Sequence, residues 1–524
     1  MDAALDKIGM GLWQFSPIFT ISMVQAFAAV GFINSVFINQ PYESNCISTF
    51  NTSLFDIEKP NIQESNANTL STSDTACYIY QRHDTGLLMF YDKSVFLDAW
   101  SVDSTIASEF SIHGDRNWLS PFYQMAFVIG VMIGDLGGTF SDSFGRIFTI
   151  RLATVGCTIG QLLISFSPYL SVIIFCRILS GISYSLINGA AYNLVMETTP
   201  VKYRSLVSTL IGLPYYISAM LLGLSAYNIR NWRLLHLINS IYVVILPFSV
   251  VFLKASPHWL LQKGRIKEAN EVIELAYKCN KRNTPPENLF PHQKNTEELN
   301  NNTSIGEKDV NKDTGTITSL FKTTKMRLIS VVHSILFTFI GFIYYGIPLD
   351  ANNFTDSPYF YLILIESMEI CPSLLGSLII NRLGNINSIT ILSIIAGICM
   401  VAIMICQYWI VDWILIVVAK MSVGLIFLIC WILSSELFPT SIRSTGFGMS
   451  NFACHFGSLI ASYIFDTTAR KYPMVPNIIS AIFCFLSSFL VRFLPETCGE
   501  PLCENISDIE KRKIKVFHIA LHRL

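Results

Sequence analysis

Five ionisable side chains stand inside long apolar runs of this sequence: Arg177, Glu366, Glu369, Lys420 and His455. A charge in hydrocarbon is costly, so such residues face a protein interior or a wet cavity and usually carry function. Glu366 is one helical turn from Glu369 and can pair with it or with water, and Glu369 can pair with Lys420. His455 offers one donor and one acceptor when neutral, and attracts anions when protonated. The stretch HSILFTFIGFIYYG, 333–346, puts Phe337 and Tyr344 seven residues apart on one helical face. Such rings hold organic cations through their quadrupole, and flat apolar molecules in general. Tyr215 is a weaker candidate of the same kind. Each group also has a plain packing role open to it. Glu369 and Lys420 can be a structural ion pair, the aromatic face a packed stripe, and His455 a partner for a backbone carbonyl. Arg177 reads as a group that bonds a neighbouring helix. The chemistry on offer is binding, not bond-making. No nucleophile–base pair and no CxxC, HExxH or GxxxxGK[ST] is present, so no enzyme, metal site or cofactor is expected.

The elements that must position these groups are membrane helices. Of 524 residues 52% are hydrophobic and only 14% charged, with a mean hydropathy of +0.47. The charges are concentrated between twelve apolar runs: about 16–38, 120–140, 147–167, 170–190, 205–226, 233–253, 327–349, 357–380, 387–408, 411–433, 443–465 and 472–494. Each has the length that spans a bilayer core of roughly 30 Å. The expected fold is an all-α membrane protein of twelve helices, with a large outer loop, 39–119, after the first. The start, MDAALDKIGMGLWQFSP, lacks a basic region and a cleavage site, so the first run is expected to remain as a helix.

The net charge of −1 points to no nucleic-acid partner. Lys and Arg gather in 141–151, 197–204, 254–326 and the tail, which the positive-inside bias places in the cytoplasm with both termini. The opposite segment, 39–119, carries eleven acids against four bases. It also holds the sequon Asn51-Thr52-Ser53, and Asn353-Phe354-Thr355 falls on the same side, so Asn51 and Asn353 are candidate glycosylation sites. Of the 13 cysteines only Cys46 and Cys77 lie in that outer segment, where an oxidising exterior lets them pair.

The chain repeats itself. ETTPVKYR (197–204) matches ELFPTSIR (436–443), and DSFGR (142–146) weakly matches NRLGN (381–385), both at an offset of 239. This predicts two six-helix halves of the same orientation, 1–253 and 327–496, joined by a linker, 254–326, and followed by a tail, 497–524. Parallel repeats place a substrate site near the midplane between the halves. The linker contains one helical stretch, KGRIKEANEVIELAYK, and a Pro/Asn/Lys/Glu-rich stretch, 281–316, whose composition predicts disorder. Gly138, Asp142, Gly145 and Arg146, with Glu197, Arg204, Glu436 and Arg443, can cap helix ends and form ion pairs there. They are expected to latch the halves in one conformation and release them in the other.

These motifs resemble those of the major facilitator superfamily, GGTFSDSFGR being similar to its signature between helices 2 and 3. ASPHWLLQKGRIKEA (255–269), SSELFPTSIRSTGFG (434–448), SLFKTTKMR and LPET with ISDIE resemble the organic cation/organic anion/carnitine transporter family. The segment YDKS…STIASEFSIHGDRNWL (91–119) is similar to the end of that family's outer loop. The resemblance covers nearly the whole chain and implies a plasma-membrane transporter of small organic ions working by alternating access. A sugar-type facilitator and a non-transporting sensor are the alternatives. It also implies that Phe337 and Tyr344 line the cavity. His455 stands where cation-carrying relatives have Asp and anion- or carnitine-carrying relatives have Arg. Departures are Ser143 after Asp142, Asn381 and Asn385 for the usual Asp and Arg, Ala255 and His258 in the linker motif, Gly114 for a cysteine, and Asn188 for a tryptophan. Glu369 and the acidic outer loop favour a cation as substrate.

Overall fold

The computed structural model describes residues 2–38, 43–46, 77–82, 88–91, 104–110, 112, 114–137, 141, 144–282, 317–355, 357–406, 408–439, 442–498 and 509–510. Among them the chain makes twelve helical passages. In the first half these are α1 (Leu12–Ile33, continued by Ser35–Ile38), α2 (Phe122–Leu136), α3 (Arg146–Phe166) and α4 (Leu170–Thr198). They are followed by α5 (Val201–Ile211 and Leu213–Asn228) and α6 (Trp232–Asn239 and Ile241–Val251). The second half comprises α7 (Thr324–Leu349), α8 (Pro358–Met368 and Ile370–Leu383) and α9 (Asn385–Ile405), then α10 (Trp409–Leu437), α11 (Arg443–Tyr463) and α12 (Met474–Leu490). Nine described helices are long and apolar enough to cross a membrane, and α2 is a shorter apolar helix. The protein is a multi-pass membrane protein.

Within each half glycines let helices touch backbone to backbone. A Cβ on Gly130 of α2 would lie 2.1 Å from the carbonyl oxygen of Ile178, and one on Gly181 of α4 2.1 Å from that of Phe127. In the second half a Cβ on Gly341 of α7 would meet the Cys454 carbonyl of α11 at 2.2 Å. Without water to drive association, such close packing is what holds membrane helices together. The halves meet along α2 against α11 and α5 against α8.

The repeat seen in the sequence recurs in three dimensions. Gly145 and Gly384, 239 apart, precede α3 and α9 with φ of +98° and +78°. In that left-handed region a side chain is strained, so glycine is required at both turns. Arg146 then donates to the Glu197 carboxylate at 3.0 Å, and its counterpart Asn385 donates to Glu436 at 3.1 Å. Arg204 bonds the Thr199 carbonyl and Arg443 the Phe438 carbonyl, again 239 residues on. The substitution of Asn for Arg thus keeps the contact and loses one charge. Each of these bonds lies within one half. Gly138 and Asp142 lie outside the described residues, and so do Asn51 and residues 283–316.

Residues 39–119 contain what helical periodicity did not foresee, an antiparallel sheet of β1 (Glu43–Cys46), β2 (Cys77–Arg82) and β3 (Leu88–Tyr91). Its backbone register sets Cys46 opposite Cys77. The end of this loop is bolted to the bundle. Trp232 Nε1 and Arg233 Nε donate to the Glu109 carboxylate at 2.7 and 3.1 Å, and Arg233 Nη2 donates to its other oxygen. Arg233, 2% exposed, also donates to the Ser165 and Ser167 carbonyls at 2.8 and 2.7 Å.

At the same end of the molecule Asp350 follows α7 and is buried. Its carboxyl is pushed up to about 7 by burial, against the lowering effect of the Asn353 amide, which donates to it at 3.2 Å. A carboxyl that holds its proton more tightly when folded stabilises the fold in acid. That stabilisation is lost as pH rises from the unfolded value near 4 through 7. Folding stability should therefore fall across this window, by at most about 1.4 kcal/mol per pH unit for one proton. Thermal unfolding in detergent at pH 5 and pH 7.5 measures it, and the difference should flatten in Asp350→Asn. Asn353 also donates to the Phe465 carbonyl at 3.2 Å. A glycan on this half-buried side chain would have to replace one of those two bonds.

Candidate functional site

Helix α8 is broken at its middle. Pro372 has no N–H to close the turn, and Glu369 sits at the junction of the two segments. Glu366 lies in the last turn of the first segment, one turn away. Both carboxyls point at Lys420 of α10, with Nζ 3.3 Å from Glu369 and 3.8 Å from Glu366. All three side chains are at most 1% exposed. Gly424, one turn beyond Lys420, makes room: a Cβ there would lie 2.3 Å from a Glu369 oxygen. Lys420 also donates to the Tyr344 carbonyl at 3.3 Å and stands 4.0 Å from the centre of the Tyr344 ring. Neither Glu366 oxygen receives a hydrogen bond among the described residues, whereas Glu369 has Lys420 and the Tyr216 hydroxyl beside it.

The aromatic face expected on α7 is present. Tyr344 stacks on Phe427 of α10 at 4.1 Å, and Phe337 packs on the same ring at 5.7 Å. Phe337 is fully buried between Phe427 and His333. Across the interface α5 brings Tyr215 and Tyr216, and Ser373 of α8 donates to the Tyr216 hydroxyl at 3.3 Å.

His455 meets an acid of the other half. Its Nδ1 is 2.7 Å from a carboxylate oxygen of Asp135, on α2 of the other half. A carboxylate only accepts, so Nδ1 carries the hydrogen. Asp135 also accepts from Ser185 of α4 at 2.6 Å. The imidazole stacks on Phe32 of α1 at 5.7 Å and lies 6.2 Å from Tyr345 of α7. The sequence reading missed Asp135, though an acid inside the run 120–140 was a signal; its place one turn from the loop motif hid it.

The repeat explains the two kinds of contact. The position 239 before His455 is Tyr216, so α11–α2 and α5–α8 are equivalent crossings, each with a polar pair between halves. The positions 239 before Glu369 and Lys420 are Gly130 and Gly181. Where the first half packs glycine on glycine, the second half opens the same crossing and puts an ion pair in it. Arg177 is structural, as expected. It donates to the Tyr123 and Gly31 carbonyls and to Gln124, tying α4 to α1 and α2.

The sequence profile described as Sugar (and other) transporter matches residues 65–507. Organic anion transporter 3 of Oryctolagus cuniculus is 30% identical over 427 residues, covering 79% of this chain and 76% of that protein. The chain belongs to the organic cation/organic anion/carnitine transporter family. Organic cation/carnitine transporter 2 of Rattus norvegicus, in the same family, is 28% identical over 81% of this chain and 74% of its own. A crystal structure of a D-xylose-proton symporter superposes with a TM-score of 0.60 at 15% identity, over 94% of this chain and 100% of the other. The xylose transporter of E. coli in an inward open conformation gives 0.58 at 15% identity, over 93% and 97%. These structures speak to the fold, which is that of the major facilitator superfamily. A member of this transporter family moves small molecules across a membrane and is not an enzyme. Relatives in the family are named for anions and for cations, so membership leaves the sign of the substrate to the site.

Proposed function

We propose that this protein carries small organic cations across the plasma membrane by alternating access, with both termini in the cytoplasm. The observation that carries the sign is the α8–α10 cluster, two carboxylates against one ammonium, beside the Tyr344–Phe427 stack and within reach of Tyr215. A cation with apolar groups gains from both the unbalanced carboxylate and the ring faces. His455 would favour anions if it stood alone, but Asp135 offsets any charge it takes up. The contacts at the loop end support access from the linker end in this conformation. Phe37 stacks on Tyr359 at 5.3 Å, Arg230 donates to the Tyr359 hydroxyl at 3.1 Å, Ser120 to Asp466 at 2.9 Å and Asn352 to the Val36 carbonyl at 2.8 Å. All four join the two halves. The register of Cys46 and Cys77 supports a disulfide between them.

Uptake of tetraethylammonium, carnitine and benzoate into cells expressing the protein tests this reading. Tetraethylammonium should be preferred, and Glu369→Gln should lower its uptake at least tenfold at equal surface amounts. Preference for benzoate would sink the assignment of sign.

The His455–Asp135 contact gives a second expectation. His455→Asp sets two carboxylates at hydrogen-bond distance between the halves. Transport should fall ten- to a hundredfold, about 1.4–2.8 kcal/mol. Adding Asp135→Asn should recover most of that loss, because the two sites are in contact and their effects do not add. Initial rates for the two single variants and the double variant decide it, and simple addition of losses would show that the pair is not coupled in transport.

A further inference from the structure

We propose that the Glu366–Glu369–Lys420 cluster holds one exchangeable proton, released when an organic cation binds and regained when it leaves, so that the protein exchanges cations for protons. The inference rests on the reading above that the cluster seats a cation. It begins with a charge count. Two carboxyls and one ammonium share a pocket where each is at most 1% exposed. With both carboxyls ionised, one of the two negative charges would be buried with no counter-ion of its own among the described residues, and the Glu366 oxygens would accept no hydrogen bond there. Such a charge does not persist; the group takes up a proton or gains a cation.

The surroundings supply no second cation among the described residues. Helix α10 brings Lys420, α7 brings Tyr344, and α5 brings Tyr215 and Tyr216. Helix α8 itself adds Tyr361, and α9 has no Asp, Glu, Lys, Arg or His along Asn385–Ile405. The Lys420 ammonium is closer to Glu369 than to Glu366.

The broken helix says which carboxyl holds the proton. Glu369 stands at the N-terminal end of the second α8 segment, where the helix dipole favours an anion. Glu366 lies in the last turn of the first segment, where the dipole disfavours one. Glu369 is thus the ionised partner of Lys420, and Glu366 is the neutral acid in the empty site. When a monovalent organic cation enters, the Glu366 O–H bond breaks. The electron pair stays on the carboxylate, which faces the cation, and the proton leaves to water on the open side. The cluster's net charge is zero before and after, so each cation moved one way returns one proton the other way.

Purified protein in liposomes that enclose the pH indicator pyranine tests this directly. External tetraethylammonium should alkalinise the lumen at a rate close to that of its own uptake, and an outward proton gradient should drive its accumulation. Glu366→Gln mimics the protonated acid and cannot ionise. It should abolish the proton signal and lower uptake at least tenfold, while Glu366→Asp should restore both with a shifted pH profile. Tetraethylammonium uptake with no pyranine response, driven instead by a negative-inside potential or a sodium gradient, would overturn the exchange and leave cation transport standing. Absence of uptake for any cation under every gradient would remove the proposed function and the exchange together.

Discussion

Lys420→Met should be among the most damaging single substitutions in this protein. Methionine fills the same volume, so packing against Tyr344 and Gly424 is largely kept. The ammonium is lost, and two carboxyls at 3.3 and 3.8 Å from its position are left facing one another in a site that is at most 1% exposed. Removing one partner from a buried ion cluster costs about 3–5 kcal/mol, because the remaining charge has neither water nor a counter-ion. Thermal unfolding of the purified protein should show this loss, and transport should be undetectable at equal surface amounts. Neutralising the orphaned acids should reverse the damage to stability but not to function. The triple variant with Glu366→Gln and Glu369→Gln should unfold near the wild-type midpoint and remain inactive. If the triple variant is as unstable as the single one, the cost lies in packing and not in charge.

Glu109→Ala should destabilise to a similar extent from a different place. Glu109 closes the outer loop onto the bundle by accepting from Trp232 and Arg233. Without it the Arg233 guanidinium keeps the Ser165 and Ser167 carbonyls but stays buried with no counter-charge. A loss of about 3–5 kcal/mol is again the scale. Glu109→Gln should cost less, since its amide oxygen still accepts one hydrogen bond, though a neutral one of roughly half the strength. The two midpoints measured side by side separate charge from hydrogen bonding. Equal losses would mean that shape, not charge, seats the outer loop.

Much of the site was legible in the sequence because its members announce themselves singly. Glu369, Lys420 and His455 are rare residue types in apolar runs, and Phe337 and Tyr344 show helical spacing. The Gly145 and Gly384 turns were legible from the repeat, since two motifs at one offset imply two copies of one turn, but the Arg146–Glu197 pairing was not. Apart from the Glu369–Lys420 pair, partners were not legible. Glu366 was read as a neighbour of Glu369, and only the break before Pro372 turns both toward Lys420. Asp135 was overlooked beside a stronger loop motif. The three strands in 39–119 were missed because β1, β2 and β3 have four, six and four residues, too few for alternation to stand out.

The sequence by itself determined that this is a multi-pass membrane protein of two like halves, and which transporter family it belongs to. Those are one-dimensional properties: run length against bilayer thickness, a constant offset of 239, and motifs contiguous in the chain. Only the tertiary structure decided what each buried charge meets. His455 and its partner are 320 residues apart, and Glu109 and Arg233 are 124 apart. Hydropathy says that a helix is buried but not how it is rotated about its axis. In a bilayer the apolar solvent does not select which face turns inward, so rotation follows from close contacts such as Gly130 on Gly181. A rotation of one residue, 100°, would carry His455 away from Asp135 altogether. The pairing of charges is therefore a property of how these helices pack.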